Sequence, residues 1–341
     1  MKSREPGLDL IRCMGLLFVT GVHSFLYNGF YSEPQTGAIM WATDSCFWLF
    51  YTCNGIFMTL TGYLKCEKPL NWGYYRSLLP ILLSYVLTCL ISFPIRQFIL
   101  GEKLTLFQWL EKMVTFGNYG WYVEMYIGLI LVSPIINLAL KELTSRSQLL
   151  WLSGVMLILS ALPSITPLNL IPDYWSSLYP LTYYTLGAVI HRLQPKLKPS
   201  LCFLGTAVTV MLTALITVLS TDDTFTTGFG QGYGGFWTTL TVVFLFLGLY
   251  RIRIPRKAAT ALSWMAGGVF EGYILSRLFD VWIYNLVPAW HTPQMYPVIF
   301  VCITIPVFFL SILAGKLVHR FSHVICKIIP APADQATGVP R

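Results

Sequence analysis

Residues 8–27 read LDLIRCMGLLFVTGVHSFLY, an apolar run long enough to cross a lipid bilayer as one helix. Two ionisable side chains, Arg12 and His23, stand eleven positions apart within it. At the rise of an α-helix they are separated by about 16 Å along the axis, about half of the hydrocarbon core. Because ionisable groups inside a membrane are costly, they usually face a protein interior or a water-filled cavity. The segment therefore predicts a membrane helix with an anion-binding group and, further along, a group that moves protons.

The composition of the whole chain indicates a membrane protein with several spans. Of the 341 residues, 55% are hydrophobic and only 11% are charged, whereas soluble domains carry about 25% charged residues. The formal net charge of +8 comes mostly from Lys and Arg in loops on one side of the membrane, as expected of cytoplasmic loops. No nucleic-acid partner is therefore expected.

Apolar stretches of about 20 residues predict an all-α fold with about ten transmembrane helices. We expect one transmembrane domain over residues 1–325 and a disordered, Ala/Pro-rich tail over 326–341. Residues 104–116 have amphipathic spacing and are expected to form an interfacial helix instead of a span. The predicted spans are 8–27, 38–64, 75–100, 120–140, 149–166, 174–192, 201–220, 235–250, 259–286 and 295–319.

Lys and Arg residues concentrate in alternate loops between these spans. Most of the 23 basic residues lie in the loops on the same side as both termini, whereas only Arg96, Lys103 and Lys112 lie in the opposite loops. Since cytoplasmic loops are rich in Lys and Arg, both termini are predicted to be cytoplasmic. The opposite loops are rich in Gly, Tyr and Trp, which fits an interfacial aromatic belt or, alternatively, stacking on sugar rings.

No metal site or disulfide framework is predicted. The eight cysteines lie mostly in apolar runs without a CxxC pair, as expected of small buried hydrophobes. P-loop, GxSxG and HExxH motifs are absent from the sequence.

The first span and the loops near it carry a group of basic residues on the predicted cytoplasmic side. Asp9 precedes Arg12 by three positions, so the two share a helix face and are expected to pair. Lys65, Lys68 and Arg76 lie at the same predicted membrane face. Together with Arg12 they form a candidate site for a phosphate-bearing ligand.

A second group of charges is predicted near His23 on the outer side. Asp44 lies in the outer part of the second span, Glu124 near the outer end of the fourth, and Arg277 with Asp280 toward the outer end of the ninth. These residues are expected to form a polar chamber with His23. The alternative for Arg277 is an ion pair with Asp280 on its own helix.

At this point the residues resemble the acyltransferase 3 family of integral membrane acyltransferases. The segment GLDLIRCMGLLFVTGVH, residues 7–23, is similar to that family's Arg/Lys–x10–His signature in the first span. NGIFMTLTGYL, residues 54–64, resembles its second-span turn and contains Asn54 and Tyr63.

Further segments extend the resemblance over residues 1–325. YYRSLLPILLSYV keeps Arg76 of a family cluster with two basic residues, but Leu79 stands at the second basic position. GWYVEMYIGLILVSPIINL, with Trp121 and Glu124, and YPLTYYTLGAVIHR resemble family segments of the fourth and sixth spans. In LSWMAGGVFEGYILSRLF, Ser276 stands where a His is common in the family.

The resemblance implies a bare transmembrane O-acyltransferase, without an appended hydrolase domain, in a bacterial inner or plasma membrane. It would transfer an acyl group, by default acetyl, from cytoplasmic acyl-CoA to a hydroxyl of an extracytoplasmic or lipid-linked glycan. The acyl-CoA is the donor substrate, and no metal is implied. Membrane lipid is a further partner, and the sequence leaves the oligomeric state open, an oligomer included.

Under this hypothesis His23 is catalytic, either as general base or as a transient acyl carrier. The acyl-CoA would bind Arg12, Arg76, Lys65 and Lys68. Residues expected to bind the acceptor or support the site are Asp9, Asp44, Asn54, Tyr63, Trp121, Glu124 and Arg277. The alternative function is a transporter or flippase of a lipid-linked sugar with His23 as proton relay.

Overall fold

The structure, a computed structural model, describes residues 5–117, 120–165, 170–220, 224–286 and 293–328. Within these ranges the chain is helical and contains no β-strand, which confirms the all-α prediction. The α-helices are α1 (Pro6–Tyr27), α2 (Gly37–Tyr51), α3 (Cys53–Lys65), α4 (Trp72–Arg76), α5 (Leu79–Pro94), α6 (Leu106–Val114), α7 (Trp121–Glu142), α8 (Arg146–Ala161), α9 (Tyr179–Leu193), α10 (Pro199–Ser220), α11 (Phe236–Leu249), α12 (Arg256–Ala266), α13 (Val269–Leu286), α14 (Tyr296–Ile299) and α15 (Ile305–Ile328).

Six helical segments in the described part of the chain are long and apolar enough to cross a membrane. Each corresponds to one of the predicted spans, and together they indicate a multi-pass membrane protein. The segments are Pro6–Tyr27, Trp72–Ile99, Trp121–Glu142, Arg146–Ser164, Pro199–Ser220 and Tyr296–Ile325.

The other four predicted spans fall on shorter or divided helices. The span 38–64 is divided at Thr52, where the chain makes a turn with Thr52 N–H donating to the Leu49 carbonyl. The spans 174–192 and 235–250 are reduced to α9 and α11. The count of about ten spans therefore stays a prediction.

The predicted span 259–286 is divided into α12 and α13 by Gly267 and Gly268. Helix α15 packs against this point so closely that a Cβ added at Gly315 would lie 2.3 Å from the Gly268 carbonyl oxygen. The break thus allows two backbones to touch, a contact that single-chain hydropathy does not reveal.

The amphipathic segment 104–116 forms the separate short helix α6, as predicted. A capping box between Thr105 and Gln108 begins it, because each side chain satisfies a backbone N–H of the first turn. At the other end of the chain, α15 continues to Ile328, so residues 326–328 of the predicted disordered tail are helical. Residues 329–341 lie outside the described ranges.

Helix α1 lies at the centre of the molecule and contacts α2, α3, α12 and α13. The closest helix pair is α3 with α9. A Cβ added at Gly62 would lie 1.9 Å from the carbonyl oxygen of Tyr184. A Cβ added at Gly187 would lie 1.9 Å from the carbonyl oxygen of Thr59. Only glycine permits such an approach of two backbones.

One end of the bundle, which we call the basic end, gathers the start of α1 and the ends of α3, α9 and α11. There the Tyr63 hydroxyl donates to the Glu5 carboxylate over 3.5 Å and accepts from Gln194 Nε2 over 3.2 Å. Arg251 in turn donates to Gln194 Oε1 over 2.6 Å. Contacts between these four residues bring loops rich in Lys and Arg together.

The opposite end, which we call the far end, joins the end of α1 to the end of α13 and to α14. Tyr27 stacks on Tyr284 with ring centroids 5.3 Å apart, and the Tyr296 hydroxyl donates to the Asn28 carbonyl. In the described part of the chain, the ends of α3, α9 and α11 therefore lie at the basic end, and the ends of α1 and α13 lie at the far end.

The outer surface of the bundle carries large exposed apolar side chains. In a water-soluble protein such a surface would aggregate, whereas in a bilayer it faces lipid. Examples on α7, α10 and α15 are Leu131, Ile135, Leu138, Leu204, Val208, Leu219, Phe309, Leu313, Leu317 and Phe321.

Candidate functional site

A single uninterrupted helix, α1, positions both Arg12 and His23. Eleven residues correspond to about three helical turns, so the two side chains leave nearly the same face of α1 at different depths. Arg12 lies toward the basic end and His23 toward the far end. The predicted separation along one helix is thus a property of the fold, and each residue has its own surroundings.

His23 forms a close pair with Asp280 of α13. Its Nδ1 lies 2.6 Å from Asp280 Oδ2, although the two residues are 257 positions apart. The side chain of Asp280 is 1% exposed and that of His23 is 21% exposed. A buried carboxylate that accepts from Nδ1–H selects the tautomer in which Nε2 has a free lone pair. In that tautomer an imidazole can act as a base or a nucleophile.

Asp280 also has capacity for a further partner. Its second oxygen, Oδ1, is buried and has no hydrogen-bond partner among the described residues. Arg277, one turn earlier on α13, lies over the Tyr27 ring at 5.2 Å from the centroid. The observed partner of Asp280 Oδ2 is thus His23, and Arg277 adds positive charge beside this pair.

Arg12 is paired with Asp9, as the sequence predicts. One guanidinium nitrogen donates to Asp9 Oδ1 over 2.6 Å, and Asp9 is 1% exposed whereas Arg12 is 29% exposed. The ion pair leaves part of the guanidinium fork facing a cavity.

That cavity, which we call the Arg12 cavity, has a volume of about 320 Å³. Its two cationic side chains are Arg12 and Lys65, and most of its wall is apolar or aromatic. Such a combination suits a ligand with an anionic group and a slender apolar part. The wall consists of Phe57, Leu60, Thr61, Leu64, Ile81, Tyr122, Tyr126, Ala266, Val269, Phe270 and Tyr273.

Phe57 closes the Arg12 cavity in the direction of His23. Its ring lies against Gly15, where an added Cβ would meet ring atoms at 2.6 Å. Gly15 follows Arg12 by three positions on α1, and His23 is not part of the cavity wall. The structure therefore brings Arg12 and Lys65 together and leaves His23 in a separate site on the same helix.

The remaining residues proposed for the donor lie near the basic end. Arg76 ends α4, and Lys68 is exposed. Neither is part of the wall of the Arg12 cavity. Lys65 itself donates to Ser77 Oγ over 3.0 Å and lies over the Tyr74 ring. Their part in donor binding stays a prediction.

The residues proposed for the acceptor are dispersed. Asp44 is fully buried in α2, and both its carboxylate oxygens lack a hydrogen-bond partner among the described residues. Glu124 is exposed in the first turn of α7, next to Trp121, which is also exposed and contacts Tyr122 and Tyr233. In the described part of the chain the carboxylate that orients His23 is therefore Asp280, instead of Asp44 or Glu124.

Asn54 and Tyr63 both lie on α3, away from the far end. Asn54 is buried near the start of that helix, and Tyr63 is bonded at the basic end to Glu5 and Gln194. Tyr63 thereby connects the end of α3 to the start of α1 and to the end of α9. A role in acceptor binding for either residue stays a prediction.

A second histidine–carboxylate pair lies toward the basic end. His319 Nδ1 is 2.9 Å from Glu271 Oε1, which also accepts from Ser84 Oγ over 2.8 Å. Glu271 and Asp280 lie on the same helix, α13, but their partners come from different helices. The His319 pair provides a matched control for experiments on His23.

The sequence places Asp280 in the predicted polar chamber with His23, with an ion pair to Arg277 as the alternative, but it does not predict the direct bond to His23. The signal that could have identified it is its position: an acidic residue toward the outer end of a predicted span, at the predicted depth of His23. Spacing along the sequence does not show which helices are neighbours, so the pairing required the tertiary structure.

The arrangement defines a class of protein: a multi-pass helical membrane protein with a half-buried imidazole bonded to a buried carboxylate and with a separate cationic cavity. The family model described as "Acyltransferase domain" matches residues 5–316 of this chain. The chain therefore belongs to the acyltransferase 3 family. No curated protein and no solved structure matches the chain.

Proposed function

We propose that this acyltransferase moves an acyl group, by default acetyl, from cytoplasmic acyl-CoA to a hydroxyl of an extracytoplasmic or lipid-linked glycan. Membership of the acyltransferase 3 family supports acyl transfer as the class of reaction. We add to this class three proposed features: the identity of the donor, the identity of the acceptor and the role of His23. The observation that carries it is the 2.6 Å contact between His23 Nδ1 and Asp280 Oδ2.

The chemistry assigned to His23 follows from this contact. With Nδ1–H donated to Asp280, the lone pair on Nε2 accepts the proton of the acceptor hydroxyl. The oxygen forms an ester bond with the acyl carbon as the thioester C–S bond breaks, and the proton passes to the departing thiolate of CoA. Asp280 stabilises the imidazolium that forms in between, because its carboxylate is buried and already aligned.

A second version of the reaction uses the same atoms. In it Nε2 attacks the thioester carbon, the C–S bond breaks and CoA leaves as its thiolate, so the acyl group rests on an imidazolium. The acceptor oxygen then takes the acyl group, and the proton of its hydroxyl is released to solvent. Rapid mixing with labelled acetyl-CoA distinguishes the versions, since only the second produces labelled protein without an acceptor.

The donor side of the proposal is supported by the Arg12 cavity. CoA phosphates would bind Arg12 and Lys65 through charge-assisted hydrogen bonds, and Arg76 and Lys68 are nearby cations for the same group. The pantetheine arm is slender and would extend along α1 past the Phe57 ring. Movement of this ring is part of the proposal, because Phe57 closes the cavity.

The orientation of the reaction is supported by the alternation of the helix ends. Since basic loops are retained in the cytoplasm, the basic end would face cytoplasmic CoA and the far end an external acceptor. Both termini would then be cytoplasmic, in a bacterial inner or plasma membrane. His23 would receive the acceptor from the outer side.

The central experiment measures transfer from radiolabelled acetyl-CoA by purified protein in lipid nanodiscs, with extracted membrane glycolipids and polysaccharides as acceptors. Hydrolysis of acetyl-CoA provides a second readout that needs no acceptor. His23→Ala should abolish both, and His319→Ala, which removes the other histidine–carboxylate pair, should leave both near the wild-type level.

Transfer that survives His23→Ala would remove the catalytic assignment. Absence of CoA binding by the wild-type protein would instead favour the transporter hypothesis, in which His23 relays protons. A thermal-shift titration with CoA answers that question before any acceptor is known.

A further inference from the structure

We propose that Cys66, Glu67 and His191 form a binding site for a divalent transition metal ion of the zinc type. One ligand atom of each side chain lies within 4.8 Å of the ligand atoms of the other two. The cluster lies at the basic end, where α3 and α9 end, and is separate from the His23 site. It is independent of the proposed acyl transfer.

The three side chains have the chemistry that zinc prefers. A thiolate, an imidazole nitrogen and a carboxylate oxygen are its usual protein ligands, and a water molecule commonly provides the fourth. In tetrahedral zinc sites these ligand atoms are about 3.3–3.8 Å apart, as calculated from the metal–ligand bond lengths. Separations of up to 4.8 Å therefore require a contraction of up to about 1.5 Å, which side-chain rotation supplies.

The close contact between α3 and α9 explains why the ligands meet. Gly62 and Gly187 allow the two backbones to touch, and Cys66 and His191 each follow one of these glycines by four residues. Since four residues make about one helical turn, both side chains lie on the touching faces one turn later. The crossing thus brings together ligands that are 125 positions apart in the sequence.

A buried ring nitrogen of His191 gives a second, independent indication. His191 Nδ1 is buried and has no hydrogen-bond partner among the described residues. Buried polar nitrogens without a partner are rare and costly, so a ligand for this atom is expected. Cys66 is also buried, with its thiol near the Tyr63 carbonyl at 3.8 Å, whereas Glu67 is exposed and leaves a route to solvent.

Neighbouring contacts hold the histidine ring in place. The Tyr63 ring meets the His191 ring edge-on with centroids 4.9 Å apart. The adjacent Arg192 points its guanidinium at the Leu140 carbonyl of α7, which accepts from it. The Tyr63 ring therefore restricts the position of the His191 imidazole near Cys66. The guanidinium of Arg192 is bonded to α7 and does not occupy the cluster.

A bound metal ion would connect the ends of α3 and α9 by coordinate bonds. Lys65, which precedes Cys66, is part of the Arg12 cavity wall. The ion would thereby stabilise the basic end of α3 close to that cavity, and its role is structural.

The test measures metal content of the full-length protein, purified in detergent after removal of any histidine tag, by inductively coupled plasma mass spectrometry. After incubation with zinc and desalting, we expect about one zinc ion per chain, as in a structural site. Cys66→Ser and His191→Ala should each lower zinc affinity at least tenfold, since each removes a ligand. Cys202→Ser removes a buried thiol on α10 and should leave zinc binding unchanged.

Cobalt provides a readout that does not depend on variants folding. Cobalt added to the wild-type protein should produce a thiolate-to-metal charge-transfer band that zinc abolishes. A cobalt spectrum without this band, zinc content near zero, or equal zinc binding by the Cys66→Ser and Cys202→Ser variants would each overturn the proposal. Since no acyl donor is used, failure here leaves the proposed acyl transfer unaffected.

Discussion

The carboxylate of Asp280 is the single group whose removal tests the proposed mechanism most directly. Asp280→Asn keeps the shape of the side chain but removes the charge that aligns His23 and stabilises its protonated form. We expect acyl transfer to fall by about 10²- to 10⁴-fold, the range of a lost general-base contribution, with CoA affinity unchanged. Steady-state transfer and a separate CoA titration measure the two quantities.

The matched control for this substitution is Glu271→Gln. Glu271 is also a buried carboxylate of α13 bonded to a histidine, but it belongs to the pair toward the basic end. An equal loss of activity in both variants would indicate a general structural effect and would contradict the assignment of Asp280 as the residue that positions His23.

Arg12 is the residue whose substitution tests the donor site. Arg12→Gln removes a charge-assisted contact to phosphate, so CoA affinity should fall by about 10-fold or more, corresponding to about 1.5–3 kcal/mol. Because the buried Asp9 carboxylate would lose its ion pair with Arg12, the double variant Asp9→Asn/Arg12→Gln is measured as well. Isothermal titration with CoA gives the affinities.

Lys141→Ala is the control for Arg12, since Lys141 is an exposed cation in the last turn of α7 outside the cavity wall. Its CoA affinity should equal that of the wild type. If the Arg12 double variant folds and binds CoA as tightly as this control, the Arg12 cavity is not the donor site.

At the level of helices, the contact between α3 and α9 depends on two glycines. Gly62→Ala and Gly187→Ala each place a methyl group against a backbone carbonyl at 1.9 Å, so the helices must separate. Overpacking of this kind costs about 1–3 kcal/mol or more, and we expect a lower thermal-unfolding midpoint in detergent for both variants.

Gly154→Ala on α8 is the corresponding control, because an added Cβ there meets no atom within 4 Å. Alanine is also the better helix former, so its midpoint should be unchanged or slightly higher. A Gly62→Ala protein as stable as the Gly154→Ala protein would disprove the close approach of α3 and α9.

Two discontinuities in the helices illustrate the limit of hydropathy as a predictor. The apolar stretches 38–64 and 259–286 each read as one span, but a turn at Thr52 and the pair Gly267 and Gly268 divide them. An apolar run specifies that a segment is buried in lipid or protein. It does not specify whether its backbone stays regular, because neighbouring helices decide that.

For the molecule as a whole, the alternation of basic loops makes a prediction about sidedness. In right-side-out membrane vesicles, Lys141→Cys at the basic end should resist a membrane-impermeant maleimide until the vesicles are opened. Ser32→Cys, exposed beyond the far end of α1, should react at once. Both variants are made in a chain in which serine replaces Cys46 and Cys302, the exposed cysteines among the described side chains, and also Cys326.

The reverse labelling pattern would place the basic end outside and would invert the proposed direction of acyl transfer. Equal labelling of both positions would show that they lie on one face, which would contradict the alternation of helix ends in the structure.

The sequence by itself determined the helical membrane architecture, the family and the placement of Arg12 and His23 at two depths of one helix. These follow from local properties: apolar segment length, the distribution of Lys and Arg, and the rise of an α-helix. The pairing of Asp9 with Arg12 is local in the same sense, because two residues three positions apart on one helix lie on the same face.

Only the tertiary structure decided which carboxylate aligns His23, that Arg12 and His23 occupy separate sites, and that Cys66 meets His191. Each of these depends on which helices are neighbours and on their relative rotation. The contacts at Gly62 and Gly187 set the position of α3 against α9, and the contact at Gly315 sets that of α13 against α15. Packing of whole helices is a property of all their side chains together, so no spacing within one segment contains it.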